Sequence, residues 1–268
     1  MKTALVTGAT SGIGREVTLK LAESGWKVLI HGRDAAKVNN ICASCPASAP
    51  LVADLSSIAE NKALAQQVRS SVEKLDALIL NAGAVTKKRV VTKEGIEYMF
   101  AVNHLSPFIL TKELSSHIAD QGSILNVSTE AHRWIRNIDL SDLQAERRFR
   151  VLKHYAATKA ANLISGYDWV SRLKEQDINL TFHHPGEVAT NFGLHGPWWL
   201  RLFWKLRSSK FISPGEAAQN LVEALESPHS ADSNSIYFVD GKPIPPEAYV
   251  DSKELRRSIV ELSNQLVE

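Results

Sequence analysis

Short apolar runs alternate along the chain with longer stretches in which apolar residues recur every three or four positions. The short runs predict buried strands, and the longer stretches predict helices that pack against them. About seven strands are expected, at residues 4–6, 26–30, 51–53, 77–80, 123–127, 178–182 and 235–239. The clearest helices are expected at residues 58–74, 97–118 and 156–174. This alternation predicts an α/β fold in which helices flank one doubly wound parallel sheet.

Two long segments interrupt the alternation. Residues 130–153 are polar and rich in arginine, and residues 193–212 combine tryptophan and phenylalanine with lysine and arginine. Long loops in compact domains are more often functional than incidental, and both segments follow a strand end, where ligands of open α/β sheets bind. Acidic residues lie among the arginines of the first segment, which favours a solvated insert. No repeat or linker divides the chain, so one domain is expected over residues 1–268.

Composition excludes few functions. The chain has 31 Lys and Arg against 29 Asp and Glu, so its formal net charge of +2 argues against a generally basic nucleic-acid binder. Apolar residues make up 44% of the chain, which argues against wholesale disorder. No uncharged apolar run reaches the roughly 18 residues of a membrane span, and the N-terminus lacks a signal-peptide pattern.

Two cysteines, Cys42 and Cys45, have the C-x-x-C spacing that occurs in redox and zinc sites. A zinc site needs two further ligands, and the sequence offers no obvious pair nearby. His183 and His184 are adjacent on a predicted strand, so their side chains point to opposite faces. We therefore expect no metal site, and we interpret the cysteines as incidental thiols in a reducing, cytoplasmic setting.

A glycine-rich turn follows the first predicted strand, with Gly8, Ser11, Gly12, Ile13 and Gly14 in the spacing G-x-x-x-G-x-G. Glycines permit a tight turn and a close approach of the backbone to a pyrophosphate, and the next helix offers its free N–H groups to that anion. The spacing differs from the G-x-G-x-x-G fingerprint. Its position between the first strand and an amphipathic helix favours dinucleotide binding.

The end of the second strand predicts which dinucleotide is bound. An acidic residue there binds the adenosine ribose of NAD, whereas an arginine accommodates the additional phosphate of NADP. Arg33 is at this position, and its planar set of donors suits a phosphate. Asp34 is able to take the acidic role, but we interpret it as the N-cap of the next helix. NADP(H) is therefore expected, with NAD(H) as the alternative.

Tyr155 and Lys159 are four residues apart at the start of a predicted helix, so both side chains lie on one face and reach one ligand. A tyrosine has an ordinary pKa of about 10, and a nearby ammonium favours the phenolate and lowers that pKa. A tyrosine tuned in this way exchanges a proton with a substrate oxygen. An isolated pair of this spacing is more often a surface feature.

Together these motifs resemble the short-chain dehydrogenase/reductase family. The resemblance extends in the right order over essentially the whole chain, through Asp54-Leu55, Asn81-Ala82-Gly83, Asn103, Asn126-Val127-Ser128 and Pro185-Gly186. The retinol-dehydrogenase-like branch is the most similar part of the family. That similarity rests on the segment 102–108, His184-Pro185-Gly186, Tyr237-Phe238, the insert before Tyr155 and a C-terminal helix over residues 254–266.

The resemblance implies a Rossmann-type fold and a role for each matching residue. Tyr155 would be the general acid–base, Lys159 would bind the nicotinamide ribose, and Asn103 would hold a water in a proton relay. Contacts with the cofactor are implied for these three residues and for Gly8, Ser11, Gly12, Ile13, Gly14, Arg33, Asp54, Leu55, Asn81, Ala82, Gly83, Pro185, Gly186, Val188 and Thr190.

One position departs from the family pattern. The serine that usually binds the substrate oxygen corresponds to Thr129, which keeps the hydroxyl and adds a methyl group. Neighbouring strand residues point to opposite faces, so Ser128 and Thr129 cannot both face the substrate while the strand stays regular. We expect Thr129 to take the role, with Ser128 as the alternative if the strand ends early.

The implied activity is NADP(H)-dependent interconversion of an alcohol and an aldehyde or ketone. The alternative is a protein of this fold that binds NADP(H) as a sensor without turnover. The segment 193–212 corresponds to the family's substrate lid, and its aromatic residues predict an apolar substrate. Two other interpretations are peripheral membrane contact through residues 197–211, and packing on the protein's own core or on a partner subunit. The family also forms homo-oligomers through the helices around 97–118 and 156–174.

Overall fold

The computed structural model describes residues 1–188, 211–226 and 236–268. Their strands are β1 (Thr3–Val6), β2 (Lys27–Gly32), β3 (Ala49–Val52), β4 (Leu75–Leu80), β5 (Ile118–Val127), β6 (Asn179–His184), β7 (Tyr237–Val239) and β8 (Lys242–Pro243). All of them belong to one sheet with the order β3-β2-β1-β4-β5-β6-β7-β8. Every neighbouring pair is parallel except β7 and β8. The predicted α/β fold is thereby confirmed, with β8 as an edge strand too short to leave a pattern in the sequence.

Helices flank this sheet, and those expected at residues 58–74 and 156–174 lie close to their predicted positions. The α-helices of the described residues are α1 (Gly12–Glu23), α2 (Ala35–Ala43), α3 (Ile58–Ser71), α4 (Tyr98–Phe100), α5 (Ser106–Leu114), α6 (Val151–Lys174), α7 (Pro214–Glu226) and α8 (Lys253–Val267). The prediction of one helix over residues 97–118 was wrong in detail. A π-helical segment (Ala101–Leu105) separates α4 from α5, and Ile118 already begins β5.

The central strands are mostly apolar because helices cover both faces of the sheet. In β1, Leu5 belongs to the core cluster on one face, which includes residues of α3, α5, α6 and α8. Its neighbours Ala4 and Val6 belong to the cluster on the other face, which includes residues of α1, α2 and α7. Successive side chains of a strand alternate between faces, so a strand buried on both faces shows no polar alternation.

The C-terminal helix α8 packs across α3, α5 and α6, with Leu255, Ile259 and Val267 buried. Its Ser263 lies in the core, where Oγ is 2.7 Å from Nε2 of His104, in the π-helical segment. Ser263 Oγ donates its own hydrogen to the Ile259 carbonyl, so the His104 Nε2–H is the donor in the contact between the two side chains. Burial lowers the pKa of His104 to about 3.

Other sequence features have simple structural counterparts. Two arginines of the insert before α6 pair with carboxylates: Arg133 with Glu130 at 3.7 Å and Arg147 with Asp139 at 3.2 Å. Cys42 and Cys45 are free thiols. Within residues 1–188, 211–226 and 236–268, no three metal-ligating side chains cluster, and no helix has the length and apolarity needed to cross a bilayer.

Candidate active site

The predicted site residues follow the carboxyl ends of parallel strands, and the sheet therefore brings them to one edge. The glycine turn follows β1, Arg33 follows β2, Asn81 follows β4 and Thr129 follows β5. Because these strands run in the same direction, the segments that follow them share one side of the sheet, where ligands of this architecture bind.

The glycine turn is packed tightly against the loop after β4. Gly8 and Gly12 have φ angles of +66° and +54°, a region that L side chains rarely adopt. A Cβ on Gly14 would lie 2.4 Å from both the Gly8 carbonyl oxygen and the Asn81 side-chain nitrogen. These three positions therefore require glycine, and the turn is held close to the loop after β4.

The N-terminus of α1 has the properties of an anion site. Its N-cap Ser11 makes no side-chain capping bond, and no acidic residue lies in the first turn. The N–H groups at this end are therefore left to a ligand, and the helix dipole favours a negative one. Several other helices instead have a side-chain cap at this end, for example from Asp34, Ser57 and Ser252.

Asn81 connects the loop after β4 to the glycine turn. Its side-chain nitrogen donates to the Thr7 carbonyl at 2.9 Å and to the Gly8 carbonyl at 3.3 Å. The backbone N–H groups of Asn81 and Ala82 donate to Thr7 Oγ1 at 3.0 and 3.1 Å. The Asn81 side-chain nitrogen thus donates its hydrogen bonds to the backbone of the glycine turn. Gly83, two residues further along the chain, is exposed.

His31 is a site residue that the sequence did not single out, because one histidine in an apolar strand gives no distinctive signal. Its Nδ1 accepts the Gly8 N–H at 3.3 Å, and its Nε2 lies 3.1 Å from the Ala53 carbonyl. Burial lowers the pKa of His31 to about 4, so the ring is neutral near pH 7 and donates through Nε2. His31 therefore joins the glycine turn to the strand end that precedes Asp54.

Asp54 and Leu55 lie where the resemblance implies, directly beyond β3. The Asp54 carboxylate accepts the Ser56 N–H at 3.0 Å, which orients it, and Leu55 is buried. Asp34 accepts the Lys37 N–H at 3.2 Å, so its predicted N-cap role is confirmed. Because Asp34 caps the next helix, Arg33 is the charged residue after β2 whose side chain is left to contact a ligand at this edge of the sheet.

Thr129 is the residue whose side chain meets Tyr155. The two side chains are hydrogen-bonded, and Thr129 Oγ1 also accepts the Ala131 N–H at 3.2 Å. The backbone of Thr129 is extended, with φ −156° and ψ 156°. The Ser128 N–H continues the sheet by donating to the His183 carbonyl at 2.7 Å. Because the chain stays extended through both residues, the Ser128 side chain points to the face opposite Thr129.

The pKa values of Tyr155 and Lys159 differ from the sequence-based expectation. Burial raises the pKa of Tyr155 above its ordinary value, and the hydrogen bond with Thr129 opposes the rise. The expected lowering of this pKa by Lys159 is thus not observed. Burial also lowers the pKa of Lys159 to about 8, and its ammonium donates to the Val127 carbonyl at 2.9 Å. A buried ammonium with remaining donors suits the hydroxyl groups of a ribose.

Asn103 lies in the π-helical segment and is fully buried. Its side-chain oxygen accepts the Ala84 N–H at 2.7 Å, and its nitrogen donates to the Ala84 carbonyl at 2.9 Å and to Thr158 Oγ1 at 3.1 Å. The amide therefore links the loop after β4 to α6, and it has little capacity left for a relay water. The wider π turn changes the backbone bonding at this position, which is a common feature of functional sites.

The segment after β6 leads towards the predicted lid. Gly186, which follows the buried Pro185, has a φ of +95°, and a Cβ there would lie 2.9 Å from Ile212 Cδ1. Val188 pairs with Ile212 in a parallel bridge. Thr190 and most of the segment 193–212 lie outside the described residues. Val188 and Ile212, on either side of the residues outside the described range, therefore lie next to each other at the edge of the candidate site.

Glu97 and His154 form a buried pair that the sequence did not reveal. His154 Nε2 lies 2.6 Å from Glu97 Oε2, which also accepts the Phe100 N–H at 2.8 Å. His154 immediately precedes Tyr155 in α6, and Glu97 is the N-cap of α4. The pair therefore ties the helix that contains Tyr155 to the helical segment that leads to Asn103.

Comparisons with known proteins agree with this geometry. The family model for short chain dehydrogenase matches residues 2–194. Retinol dehydrogenase 12 of Mus musculus is 32% identical over 249 residues, covering 90% of this chain and 78% of the mouse protein. This similarity supports the predicted retinol-dehydrogenase-like branch.

Two solved structures share the fold. Alcohol dehydrogenase from the archaeon Thermococcus sibiricus, complexed with 5-hydroxy-NADP, has a TM-score of 0.68 and 20% identity, covering 93% of this chain and 97% of that chain. The 3-ketoacyl-(acyl-carrier-protein) reductase from Brucella melitensis, complexed with NADH, has a TM-score of 0.67 and 24% identity, covering 89% and 96%. The fold thus occurs with either nicotinamide cofactor.

Proposed function

Because the chain belongs to the short-chain dehydrogenase family, we propose that it is an NADP(H)-dependent oxidoreductase that interconverts an alcohol and an aldehyde or ketone. The observation that carries the proposal is the hydrogen bond between Tyr155 and Thr129, at the edge of the sheet where the glycine turn also lies. A phenol and a hydroxyl that share one position are suited to bind one substrate oxygen and to exchange a proton with it.

The residues at the sheet edge fit a dinucleotide. The uncapped N-terminus of α1 and its glycine turn suit the pyrophosphate, and the buried Lys159 suits the nicotinamide ribose. Arg33 supports the choice of NADP(H) over NAD(H), because an exposed guanidinium offers several donors to a phosphate. Further contacts are proposed for Asp54, Leu55, Asn81, Ala82, Gly83, Pro185, Gly186, Val188 and Thr190.

In the proposed reduction, the carbonyl oxygen lies between the Thr129 hydroxyl and the Tyr155 phenol. The cofactor supplies the hydride when it is bound. As the oxygen gains charge, Tyr155 transfers its phenolic proton to it, and Thr129 stabilises it by a hydrogen bond. The raised pKa of Tyr155 keeps the phenol protonated near neutral pH, which is the state that donates a proton in the reduction. Lys159 lies one helical turn away, where its ammonium would bind the hydroxyl groups of the nicotinamide ribose.

The proposed substrate is an apolar carbonyl compound. The aromatic residues of the segment 193–212 support this choice, and the mouse relative is named for retinol, an apolar alcohol. Peripheral membrane contact through 197–211, a cytoplasmic location, a single domain over 1–268 and homo-oligomerisation stay predictions. The described α8 already packs against α5 and α6, which reduces the helical surface open to a second copy.

The test is a screen of aliphatic, isoprenoid and aromatic carbonyls with the full chain, using NADPH and NADH separately. We expect the protein to oxidise NADPH when apolar carbonyls are added. Tyr155→Phe, which keeps the ring but removes the phenolic proton, should lose this activity. Binding of NADPH without oxidation by any carbonyl would favour the sensor instead. A preference for NADH would overturn the proposed role of Arg33.

A further inference from the structure

Besides the Glu97–His154 pair, the structure contains a second contact that the sequence did not predict, between Arg33 and Tyr98 at the adenine end of the proposed cofactor site. Arg33 Nη1 donates to the phenol oxygen of Tyr98 at 2.5 Å. Arg33 follows β2, whereas Tyr98 is the first residue of α4. Besides burial, the charge of the nearby Asp54 carboxylate raises the pKa of the Tyr98 phenol. The phenol therefore stands among the residues that follow β2 and β3, on the edge of the sheet where the cofactor is proposed to bind.

Tyr98 is held firmly, although Arg33 is exposed. The Tyr98 N–H donates to the Val90 carbonyl at 2.9 Å, and the preceding residue, Glu97, is anchored by its buried contact with His154. Tyr98 itself is half-buried, which raises its pKa and keeps the phenol neutral. A fixed phenol thus restricts the orientations of a long side chain that is otherwise free to sample many rotamers in solvent.

The contact leaves both side chains with donors to spare. A guanidinium has five N–H donors in a planar arrangement, and the contact with Tyr98 uses one of them. The phenol oxygen accepts from Arg33, so its own O–H is able to donate to a third group. An anion that lies against the pair would accept hydrogen bonds from both side chains at once.

We propose that Tyr98 is the second half of a two-residue site for the 2′-phosphate of NADP(H): it positions Arg33 and donates its own hydroxyl hydrogen to the phosphate. The inference rests on the proposed function, in which Arg33 recognises that phosphate. NAD(H) has a hydroxyl group in place of the phosphate, so Tyr98 contributes to cofactor choice and not to binding of the shared part of the two dinucleotides.

The test is the affinity of the full chain for NADPH, NADH and 2′,5′-ADP, measured by calorimetric titration without substrate. The variants are Tyr98→Phe, which keeps the ring and removes the hydroxyl, and Arg33→Ala. Tyr167→Phe is the matched control, because Tyr167 also lies beside an arginine, with the Arg256 guanidinium 5.2 Å from its ring centroid, but on α6. Melting temperatures of all variants establish that each is folded.

We expect Tyr98→Phe to weaken NADPH and 2′,5′-ADP binding about tenfold, as for loss of a hydrogen bond to a charged group, and to leave NADH binding unchanged. Tyr167→Phe should change none of the three affinities. If Arg33→Ala abolishes the preference for NADPH and Tyr98→Phe leaves it intact, the inference fails and the proposed cofactor choice stands. An equal loss for NADPH and NADH in Tyr98→Phe also overturns the inference. If Arg33→Ala leaves the ratio of the two affinities unchanged, the cofactor choice itself is wrong.

Discussion

The Glu97 carboxylate and the His154 imidazole lie 2.6 Å apart, and both side chains are almost completely buried. Removing the imidazole leaves a buried carboxylate without its partner, which typically costs about 3–5 kcal/mol. We therefore expect His154→Leu to lower the free energy of unfolding by about that amount, measured by urea titration.

The exposed ion pair of Arg257 and Glu261 is the control, because its 2.7 Å separation is similar and its side chains are 80% and 55% exposed. Arg257→Leu should change the free energy of unfolding by less than about 1 kcal/mol. Similar losses in the two variants would contradict the importance of burial for the Glu97–His154 pair.

Thr129 and Ser128 are neighbours with different expected roles. Because the Thr129 side chain is bonded to Tyr155, we expect Thr129→Ala to lower kcat/KM about 100-fold, as for loss of a donor to a developing oxyanion. Ser128→Ala should change it only mildly, and Thr129→Ser, which keeps the hydroxyl, should retain most activity. Steady-state kinetics with one carbonyl substrate decides the order. A larger loss in Ser128→Ala would assign the role to Ser128.

The buried ammonium of Lys159 is expected to lower the stability of the folded protein while it contributes to cofactor binding. Its folded-state pKa of about 8 lies below its ordinary value of 10.5, so the charged form is disfavoured by folding. This penalty is complete below pH 8, and it disappears as the pH rises towards 10.5. Lys159→Met should therefore melt higher than the wild type at pH 7, and the difference should shrink towards pH 10.5. The same variant should bind NADPH more weakly at pH 7. A lower melting temperature at pH 7 would show that the ammonium is not destabilising.

His104 is expected to make the fold sensitive to acid. Its pKa falls from 6.5 to about 3 on folding, so the unfolded chain binds more protons between these values and stability is lost as the pH falls. We expect His104→Gln to reduce the loss of urea stability between pH 7 and pH 4.5. His31 changes in the same direction and is present in both proteins, so the difference between them isolates His104. An unchanged loss would mean that other groups determine acid stability.

Features that depend on neighbouring residues in the chain were predictable from sequence. The buried strands, the glycine turn and the Asp34 cap each depend on a local pattern, and the structure contains all three. The Tyr155–Lys159 spacing also placed both side chains on one helix correctly. The π-helical segment around Asn103 was not predictable, because its residues are apolar or helix-compatible and nothing in their order marks a wider turn.

Features that depend on burial or on distant partners were not predictable. The pKa of Tyr155 moves upward because the surrounding core desolvates it, and the sequence shows only the spacing to Lys159. The contacts of Arg33 with Tyr98 and of Glu97 with His154 join residues 65 and 57 positions apart. Each residue alone is an ordinary polar side chain, so their pairing becomes visible only when the helices are in place.

The position of α8 has a consequence for the order in which the domain forms during synthesis. A chain leaves the ribosome from its N-terminus, and domains tend to fold in that direction. The sheet edge, Asn103 and α6 are all synthesised before Ser263 is available to contact His104. Until α8 emerges, the apolar residues of α3, α5 and α6 that pack against it lack this cover. The last helix of the described chain thus completes the support of the candidate site, although none of the candidate site residues lies on it.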